Sequence, residues 1–287
     1  MYIDSVCRLC GSVELSFLFI SNEVDLLKCN SCSYVQISRK PSPIEIAAIY
    51  GKHYFTSSKY KDKTILYMEN RRRLRLMDLF VPNPQATVLD AGCATGDFLS
   101  FAKSKYQVFG FDISEFAVLE ARRTNPDIAD RISVGQIEKS RFDVGQFDAI
   151  CLWDVIEHLW DPVEVCQNLA GLLKPRGYFF ISTPDIGSFM ARILGRHWAF
   201  MTPPEHMGFF STNSFSHLFG NALPFHIDYS KSFGKWTNIG FMVYKLKRIF
   251  PSLIPESLVK LLRHGRTGKL QIYVPTKDIR YLAAQKI

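Results

Sequence analysis

The sequence lacks any hydrophobic run long enough to cross a membrane, because charged residues interrupt each apolar stretch well before that length. Its first residues, Met1 to Ser5, show no basic segment followed by an apolar stretch, so a secretory signal is not indicated. Internal repeats and low-complexity tracts are also missing. We therefore expect a folded, soluble, cytoplasmic protein in which the seven cysteines are reduced thiols or metal ligands.

The sequence also lacks two common phosphate-binding signatures. Gly92 and Gly96 are spaced as GxxxG, so the GxGxxG dinucleotide fingerprint is not met, and no Lys-Ser or Lys-Thr pair follows the second glycine. What is present is an apolar run that leads to Asp90, then this glycine turn, then a predicted helix. Glycines permit backbone angles closed to other residues and let a ligand approach the main chain. The pattern favours a nucleoside ligand without a pyrophosphate over NAD.

A second acid, Asp112, closes the next predicted strand, about twenty residues beyond the glycine turn. An acid in this position can accept both hydrogen bonds from a ribose diol, as the equivalent acid does in Rossmann proteins. The alternative is that Asp112 caps the helix that follows it, and one carboxylate could serve both purposes. We predict that Asp112 binds a ribose.

Length and pattern predict one α/β core with a small accessory module. The 287 residues suffice for one sizeable core but not for two full-sized enzymes. From residue 87 onward, short β-rich runs alternate with amphipathic segments, which is typical of a mainly parallel sheet with helices on both faces. Pro41 and Pro43 disfavour a continuous helix or strand at this point. We therefore predict an N-terminal module over residues 1–40 and a larger domain over residues 41–287.

Positive charge is concentrated in two segments of the chain. Residues 241–287 carry ten lysines and arginines against two acidic residues, which equals the whole formal excess of +8. Residues 39–82 carry ten more against four acidic residues, and four of these arginines lie between 71 and 75. A basic face can attract the phosphates of a nucleotide-linked substrate, anionic lipid headgroups or RNA, or can be a solvated surface, and charge alone leaves these alternatives open.

Four stretches of the sequence resemble, in order, those of the class I S-adenosylmethionine-dependent methyltransferases. They are the run from Asp90 to Gly96 followed by Asp112, residues 135–138, residues 147–150 with 153–159, and residues 172–177. An ordered set of this kind is far more specific than a single glycine turn. The resemblance covers roughly residues 44–287. It implies a Rossmann-like, seven-stranded, mostly parallel sheet flanked by helices, with S-adenosylmethionine as cofactor.

By that resemblance, a defined set of residues is expected to hold the cofactor. The set is Asp90, Ala91, Gly92, Cys93, Gly96, Asp97, Phe98, Asp112, Ile113, Gln136, Ile137, Trp153 and Asp154. The glycine turn corresponds to the element that holds the methionine moiety, while Gln136 and Ile137 are expected to border the adenine. Trp153 and Asp154 are expected at the end of the fourth strand, facing the cofactor. At Cys93 the nearby backbone should matter more than the thiol.

Four cysteines near the N-terminus have the spacing of a zinc site. Cys7 and Cys10 form one CxxC pair, Cys29 and Cys32 form another, and eighteen residues separate the pairs. Two such pairs can supply four thiolates in a closed tetrahedron, so we predict a structural Zn²⁺ in a small zinc-ribbon-like module. The alternative is four incidental thiols. A module of this kind ahead of a methyltransferase domain resembles the zinc-binding domain of sugar-nucleotide C-methyltransferases.

Methyl transfer to a hydroxyl or an acidic C–H requires a base with a pKa near neutrality, for which histidine is best suited. His206 is one candidate, in a Pro-Glu-His loop that ends in an aromatic pair and a serine. Glu205 would be its orienting partner or a hydrogen-bond acceptor for the substrate. Similar loops line the acceptor pocket of relatives that act on small molecules. His158, after the fourth predicted strand, is a second candidate. The alternative for each histidine is a structural role in a loop or at a helix end.

The segment at about 240–265 is an apolar and basic amphipathic insertion in the larger domain. A helix of this character packs on its own domain, covers an active site or lies on a membrane surface as a peripheral contact. The sequence leaves these three alternatives open.

The function that the sequence favours is methyl transfer from S-adenosylmethionine to an oxygen or carbon of a small polar acceptor. The favoured acceptor is a sugar nucleotide or another precursor of the cell envelope or of secondary metabolism, nucleotide- or lipid-linked. One alternative is an RNA methyltransferase that docks through the zinc module and the arginine-rich helix, although stable binding to nucleic acid is not expected. Another is a non-catalytic binding protein that keeps the fold as a scaffold.

Overall fold

The computed structural model describes residues 5–49, 63–135, 142–249, 252–265 and 267–287, and these contain eleven strands and nine α-helices. The strands are β1 (Leu15–Ser21), β2 (Val24–Cys29), β3 (Val35–Ile37), β4 (Thr87–Ala91), β5 (Gln107–Asp112), β6 (Ile132–Val134), β7 (Phe147–Trp153), β8 (Leu173–Pro184), β9 (Gly208–Phe209), β10 (Phe225–Asn238) and β11 (Gln271–Lys286). The helices are α1 (Pro43–Ile49), α2 (Lys63–Phe80), α3 (Asp97–Ala102), α4 (Glu115–Thr124), α5 (Pro162–Leu172), α6 (Phe189–Leu194), α7 (Thr212–His217), α8 (Ile239–Ile249) and α9 (Glu256–His264).

Seven strands form one sheet in the order β10-β11-β8-β7-β4-β5-β6. The strands from β8 to β6 in this order run parallel, while β11 is antiparallel to both β8 and β10. The chain builds outward from β4 to β6 and then returns to the other side with β7, so the strand order reverses between β4 and β7. Ligands bind beyond the carboxyl ends of strands at such a switch point. The predicted Rossmann-like, mostly parallel sheet is confirmed.

Apolar residues alternate between the two faces of this sheet, because successive side chains of a strand point to opposite sides. On β7, Ala149 and Cys151 pack with α2, α3 and α4, whereas Ile150 and Leu152 pack with α5 and α7. A shift of one residue would exchange the two sets, so burial of both faces fixes the strand register. The fixed register in turn holds the loops at the carboxyl ends of β4, β5 and β7 in place.

A second, smaller sheet contains four antiparallel strands in the order β1-β2-β3-β9. Three of them lie within residues 1–40, and the fourth comes from the loop after α6. Val35 of β3 pairs with Phe209, and Gln36 pairs with Gly208. The boundary near residue 40 stays a prediction, and the N-terminal module and the larger domain share this sheet.

β10 and β11 extend beyond the large sheet as a two-stranded antiparallel ribbon. β11 pairs with β8 only from Ile279 to Gln285, and the earlier residues of β11 pair with β10 alone. The register shifts at Gly234, near Pro275 of the opposite strand, which cannot donate to the ladder. Helices α8 and α9 follow at the ribbon tip, where the insertion was predicted. Within the described ranges, no helix combines the length and apolar character that crossing a bilayer requires.

Candidate active site

The turn after β4 forms part of a cavity at the carboxyl ends of the parallel strands. Gly92, Ala94 and Gly96 have positive φ angles of 86°, 46° and 78°. A Cβ at Gly92 would lie 2.6 Å from Cγ2 of Val155, just beyond the end of β7. Both the backbone angle and the close packing therefore require glycine at this position.

The cavity has a volume of about 620 Å³ and brings together most of the predicted cofactor residues. Those that line it are Asp90, Gly92, Cys93, Asp97, Phe98, Asp112, Ile113, Trp153 and Asp154. Ala91 and Gly96 lie outside the lining, because Ala91 is buried in β4 and Gly96 packs against Asn125. Gln136 and Ile137 lie outside the described residues. The cofactor-binding roles of the whole set stay predictions.

Asp112, at the end of β5, lines the cavity with a carboxylate that the main chain holds in place. Its Oδ2 accepts a hydrogen bond from the Ala94 amide at 2.9 Å, and its Oδ1 accepts one from the Ser114 amide at 2.8 Å. Ser114 is the residue that caps α4, through its hydroxyl and the Ala117 amide. Burial raises the pKa of Asp112, although the main-chain donors oppose this shift. An anchored carboxylate in this position can accept hydrogen bonds from two neighbouring hydroxyls.

Asp90, in β4, is a buried acid that also lines the cavity. Burial raises its pKa to about 7, while the Arg73 guanidinium lowers it and the Asp112 carboxylate raises it further. Within the described part of the chain, Oδ1 of Asp90 has no hydrogen-bond partner. Burying a carboxylate oxygen without a partner costs free energy. A ligand that brings a positive charge or an N–H donor into the cavity would offset that cost.

Two residues of α2, Asn70 and Arg73, belong to the cavity lining although no sequence motif indicates them. Nη2 of Arg73 donates to Oδ2 of Asp154 at 2.7 Å, and its Nη1 donates to Oδ1 of Asn70 at 3.2 Å. The guanidinium also lies 5.4 Å from the centre of the Trp153 ring. Although burial lowers the pKa of Arg73, the Asp154 carboxylate raises it above its usual value. Arg73 therefore stays charged and holds Asp154 and Trp153 at the cavity wall.

The lining fits the S-adenosylmethionine that the motifs predict. Asp112 offers an anchored carboxylate to a ribose diol, and Asp90 offers a buried oxygen to a cationic group. Nε1 of Trp153 is a further buried polar atom without a hydrogen-bond partner among the described residues. Gly92 lines the cavity with its main chain. Since six acidic residues line the cavity against Lys40 and Arg73, the site suits a positively charged nucleoside better than a pyrophosphate.

The two predicted base candidates lie side by side. His158 lines the cavity, and the centre of its ring lies 4.8 Å from that of His206, which is buried. Nδ1 of His158 is 2.9 Å from the main-chain oxygen of Glu205. Because a carbonyl oxygen only accepts hydrogen bonds, Nδ1 carries the proton of neutral His158, and Nε2 is its basic nitrogen. Glu205 thus orients His158 through its main chain, while its predicted orienting role toward His206 stays a prediction.

A buried carboxylate accompanies the two histidines. Glu157 accepts a hydrogen bond from the Thr183 hydroxyl at 2.9 Å. The carboxylate oxygen of Glu157 and the ring nitrogens of His158 and His206 lie within 4.8 Å of one another. Through His158, this acid–base group reaches the cavity lining.

The rest of the cavity lining comes from distant segments and is mostly apolar. It includes Ile46, Leu66, Leu159, Trp160, Val165 and Met207. Lys40, from the N-terminal part of the chain, adds a cation 5.9 Å from the Trp160 ring, and Asp161 and Glu164 add two acids. Apart from Leu159, no sequence motif marks these positions, because only the packing of the whole chain brings them together.

The four predicted zinc ligands converge next to the smaller sheet. The sulfur atoms of Cys7 and Cys32 are 3.6 Å apart, as are those of Cys10 and Cys29. All four lie within 4.8 Å of one another. In a tetrahedral site with Zn–S bonds of about 2.3 Å, the sulfur atoms are about 3.8 Å apart, so the four thiols fit a closed zinc site. Zinc at this site stays a prediction.

The switch-point cavity, the positive-φ turn and the acid at the end of β5 define a Rossmann-like domain of the class I methyltransferase type. Solved structures share this fold. The YcgJ protein of Bacillus subtilis matches with a TM-score of 0.53 and 16% identity, over 75% of this chain and 98% of that one. An S-adenosylmethionine-dependent methyltransferase of Mesorhizobium loti matches with a TM-score of 0.51 and 17% identity, over 74% of this chain and 96% of that one.

The family described as methyltransferase domain matches residues 65–222, which is more than half of the chain. The chain therefore belongs to this family, and its predicted membership of the class I S-adenosylmethionine-dependent methyltransferases is confirmed. The ubiquinone biosynthesis O-methyltransferase of Coxiella burnetii (strain Dugway 5J108-111) is 30% identical over 146 residues, and that of Albidiferax ferrireducens is 31% identical over 150 residues. Each match covers 49% of this chain and 62% or 58% of the relative, so the chain spans about three fifths of the length of these relatives.

Proposed function

We propose that this chain transfers the methyl group of S-adenosylmethionine to an oxygen of a small acceptor. The observation that carries the proposal is one cavity lined both by the acids suited to the cofactor, Asp90 and Asp112, and by a histidine, His158. The names of the relatives, O-methyltransferases of ubiquinone biosynthesis, favour oxygen over carbon as the acceptor atom.

The residues of the chain align the reactants and take up one proton. When bound, S-adenosylmethionine supplies an electrophilic methyl group on a positively charged sulfur. Asp112 holds the ribose, and Asp90 neutralises positive charge in the methionine half of the site. Nε2 of His158 removes the hydroxyl proton of the acceptor, while Nδ1–H stays hydrogen-bonded to the Glu205 carbonyl oxygen and stabilises the imidazolium. His206 packs against this ring and limits its rotation.

The cavity lining favours an acceptor with a flat apolar body and a hydroxyl group. Trp160, Leu66 and Met207 form an apolar part of the lining against which such a body can pack. In the described lining the Lys and Arg cations are Lys40 and Arg73, and Arg73 is already paired with Asp154. A sugar nucleotide, the acceptor predicted from the sequence, would bring a pyrophosphate to a site with little uncompensated positive charge. No relative named above points to that acceptor.

Isothermal titration with S-adenosylmethionine tests the cofactor half of the proposal. Asp112→Ala should weaken binding at least about tenfold, because it removes charge-assisted hydrogen bonds worth about 1.5–3 kcal/mol. Asp127→Ala is the matched control, since this acid is solvent-exposed and pairs with Lys103 on the surface. The control should leave the dissociation constant within about twofold. Absence of binding by the unmodified chain would favour the non-catalytic scaffold.

Mass spectrometry tests the transfer itself. The chain is incubated with S-adenosylmethionine and a panel of hydroxylated aromatic compounds and sugar nucleotides, and we expect a gain of one methylene unit on an aromatic hydroxyl. His158→Gln should lower kcat about 10²- to 10⁴-fold with cofactor affinity unchanged. His226→Gln, at an exposed histidine, should leave kcat unchanged. Methylation of a sugar nucleotide alone, or full activity of His158→Gln, would contradict the proposal.

The RNA alternative has less support from the arrangement of α2. Arg72 donates to the Gly234 carbonyl oxygen and lies 5.0 Å from the centre of the Phe233 ring. Arg73 is turned into the cavity wall and pairs with Asp154. Two arginines of the proposed docking helix therefore make contacts within the protein. A gel-shift experiment at physiological salt should show no stable complex, whereas tight binding would favour this alternative.

A further inference from the structure

The tip of the ribbon leaves several large apolar side chains in water. Residues 239–249, 252–265 and 267–270, which contain α8 and α9, are called the cap below. Leu253 is 75% exposed, Leu258 is 40% exposed and Leu261 is 68% exposed. Isolated exposed leucines are common on protein surfaces, but a group of them in one short segment marks an interaction site.

In α9 the apolar residues extend around the helix beyond the side that is buried. Successive residues of a helix are about 100° apart, so Leu258 and Leu261 lie about 60° from each other around the helix axis. Val259, on the other side of Leu258, is buried. Val259 therefore packs the helix against the rest of the protein, while the two leucines are left for another partner.

The cap is also strongly basic. Residues 245–269 contain seven lysines and arginines against a single acid, Glu256. The seven are Lys245, Lys247, Arg248, Lys260, Arg263, Arg266 and Lys269. Leucines enter the interfacial region of a bilayer, and each nearby lysine or arginine gains about 1 kcal/mol from anionic headgroups. An anionic membrane surface complements both features, because its apolar region accepts the leucines and its negative headgroups attract the lysines and arginines.

We infer that the cap docks this protein onto an anionic membrane surface, with Leu253, Leu258 and Leu261 inserted among the headgroups. The ribbon that carries the cap packs on α2, where Arg72 donates to the Gly234 carbonyl oxygen at 3.2 Å. The same helix supplies part of the cavity lining. Docking therefore holds the cavity near the bilayer, where an apolar acceptor is concentrated. This last consequence rests on the proposed function, whereas docking itself does not.

Vesicle sedimentation of the full chain tests the inference. We expect binding to vesicles of phosphatidylcholine mixed with phosphatidylglycerol to be at least about tenfold stronger than to phosphatidylcholine alone, and to weaken as salt is raised. The double variant Leu258→Ser and Leu261→Ser should bind the mixed vesicles at least about tenfold more weakly. The variant Lys260→Glu, at an exposed lysine of α9, should bind more weakly and lose part of the salt dependence.

A matched control tests whether vesicle binding depends on the leucines of the cap or on exposed apolar side chains in general. Val144→Ser removes an apolar side chain that is 87% exposed elsewhere on the surface, and its vesicle binding should equal that of the unmodified chain. Thermal unfolding and titration with S-adenosylmethionine show whether each variant keeps its fold. If the unmodified chain binds vesicles but not the cofactor, the proposed function fails and the docking inference stands.

Several results would overturn the inference. One is absence of sedimentation with the mixed vesicles, and another is undiminished binding by the leucine double variant. If the unmodified chain does not bind vesicles but sedimentation velocity shows a dimer that the leucine double variant loses, the partner is a second copy of the chain. A third is that an RNA oligonucleotide displaces the chain from vesicles and the leucine double variant still binds this RNA. That result would identify the cap as a nucleic-acid surface.

Discussion

The guanidinium of Arg8 lies 3.7 Å from the centre of the Trp160 ring, and this contact joins the cysteine cluster to the cavity wall. Arg8 follows Cys7 directly in the sequence. Its guanidinium also donates to the main-chain oxygens of Trp160, Ile37 and Met207. Because Trp160 and Met207 line the cavity, one side chain beside a predicted zinc ligand fixes part of the proposed acceptor site.

Arg8→Ala should lower the free energy of unfolding by about 3 kcal/mol. The variant loses charge-assisted hydrogen bonds, each worth about 1.5–3 kcal/mol, and a cation–π contact worth about 1 kcal/mol. Relaxation of the neighbouring residues into the space left by the side chain recovers part of this loss. Urea unfolding followed by circular dichroism measures the change. Arg123→Ala is the control, because this arginine is exposed and pairs with Glu120 on one helix, and it should cost less than about 0.5 kcal/mol. Equal losses for the two variants would show that Arg8 does not join the two parts.

Cys32→Ser should remove a metal ion from the purified chain. Elemental analysis should find about one zinc per unmodified chain and much less in the variant, because three thiolates bind zinc more weakly than four. Hydrogen exchange should accelerate in β1, β2 and β3, while the large sheet keeps its protection. Cys166→Ser, at a buried cysteine of α5 outside the cluster, should keep its zinc. An unmodified chain without metal, or a variant with full zinc content, would refute the predicted site.

The half of the site suited to the cofactor follows from the sequence because its geometry is local. Asp90, Gly92 and Asp112 lie in strand–turn segments where the strand end, the glycine angles and the following helix determine the positions of the side chains. The choice between Asp112 and Ser114 as the cap of α4 needs coordinates, because both residues have the right chemistry and spacing. Only the hydrogen bond between the Ala117 amide and the Ser114 hydroxyl decides it.

The part of the cavity proposed for the acceptor does not follow from the sequence, because its residues meet only through tertiary packing. Arg73 belongs to a run of arginines that equally fits an exposed helix, and nothing in that run marks it as buried against Asp154. Lys40 and Met207 are separated by more than half of the chain and still line one cavity. The sequence motifs alone therefore do not identify the acceptor.

Gly92→Ala should weaken S-adenosylmethionine binding at least about tenfold and destabilise the fold by about 1–3 kcal/mol. The added Cβ would meet the Val155 side chain at 2.6 Å, and the backbone has φ of 86°, so steric and conformational costs add. Titration and thermal unfolding measure the two effects. Gly145→Ala isolates the conformational cost, because Gly145 has φ of 69° but no atom within 4 Å of the added Cβ. Unchanged cofactor affinity in Gly92→Ala would show that the turn does not contact the cofactor.

Asp90 should make cofactor affinity depend on pH near neutrality. Burial raises the pKa of Asp90 from 3.8 to about 7, so the folded chain without ligand binds more protons than the unfolded chain between these values. Ionising Asp90 is therefore unfavourable in the fold, and its contribution to stability falls as pH rises from about 4 to about 7. A cation in the cavity favours the ionised form. Binding of S-adenosylmethionine should accordingly tighten as pH rises, by about tenfold between about pH 6 and about pH 8.

Asp90→Asn distinguishes this carboxylate from its neighbour Asp112, whose pKa burial also raises. The amide keeps the shape of the side chain but cannot ionise, so the variant should bind the cofactor more weakly at high pH and show little pH dependence. It should also lose the fall in stability between about pH 4 and about pH 7. Titration calorimetry and thermal unfolding across this range provide both measurements. If the variant keeps the full slope of affinity with pH, Asp112 and not Asp90 is the group that titrates, since the amide at position 90 has no proton to release.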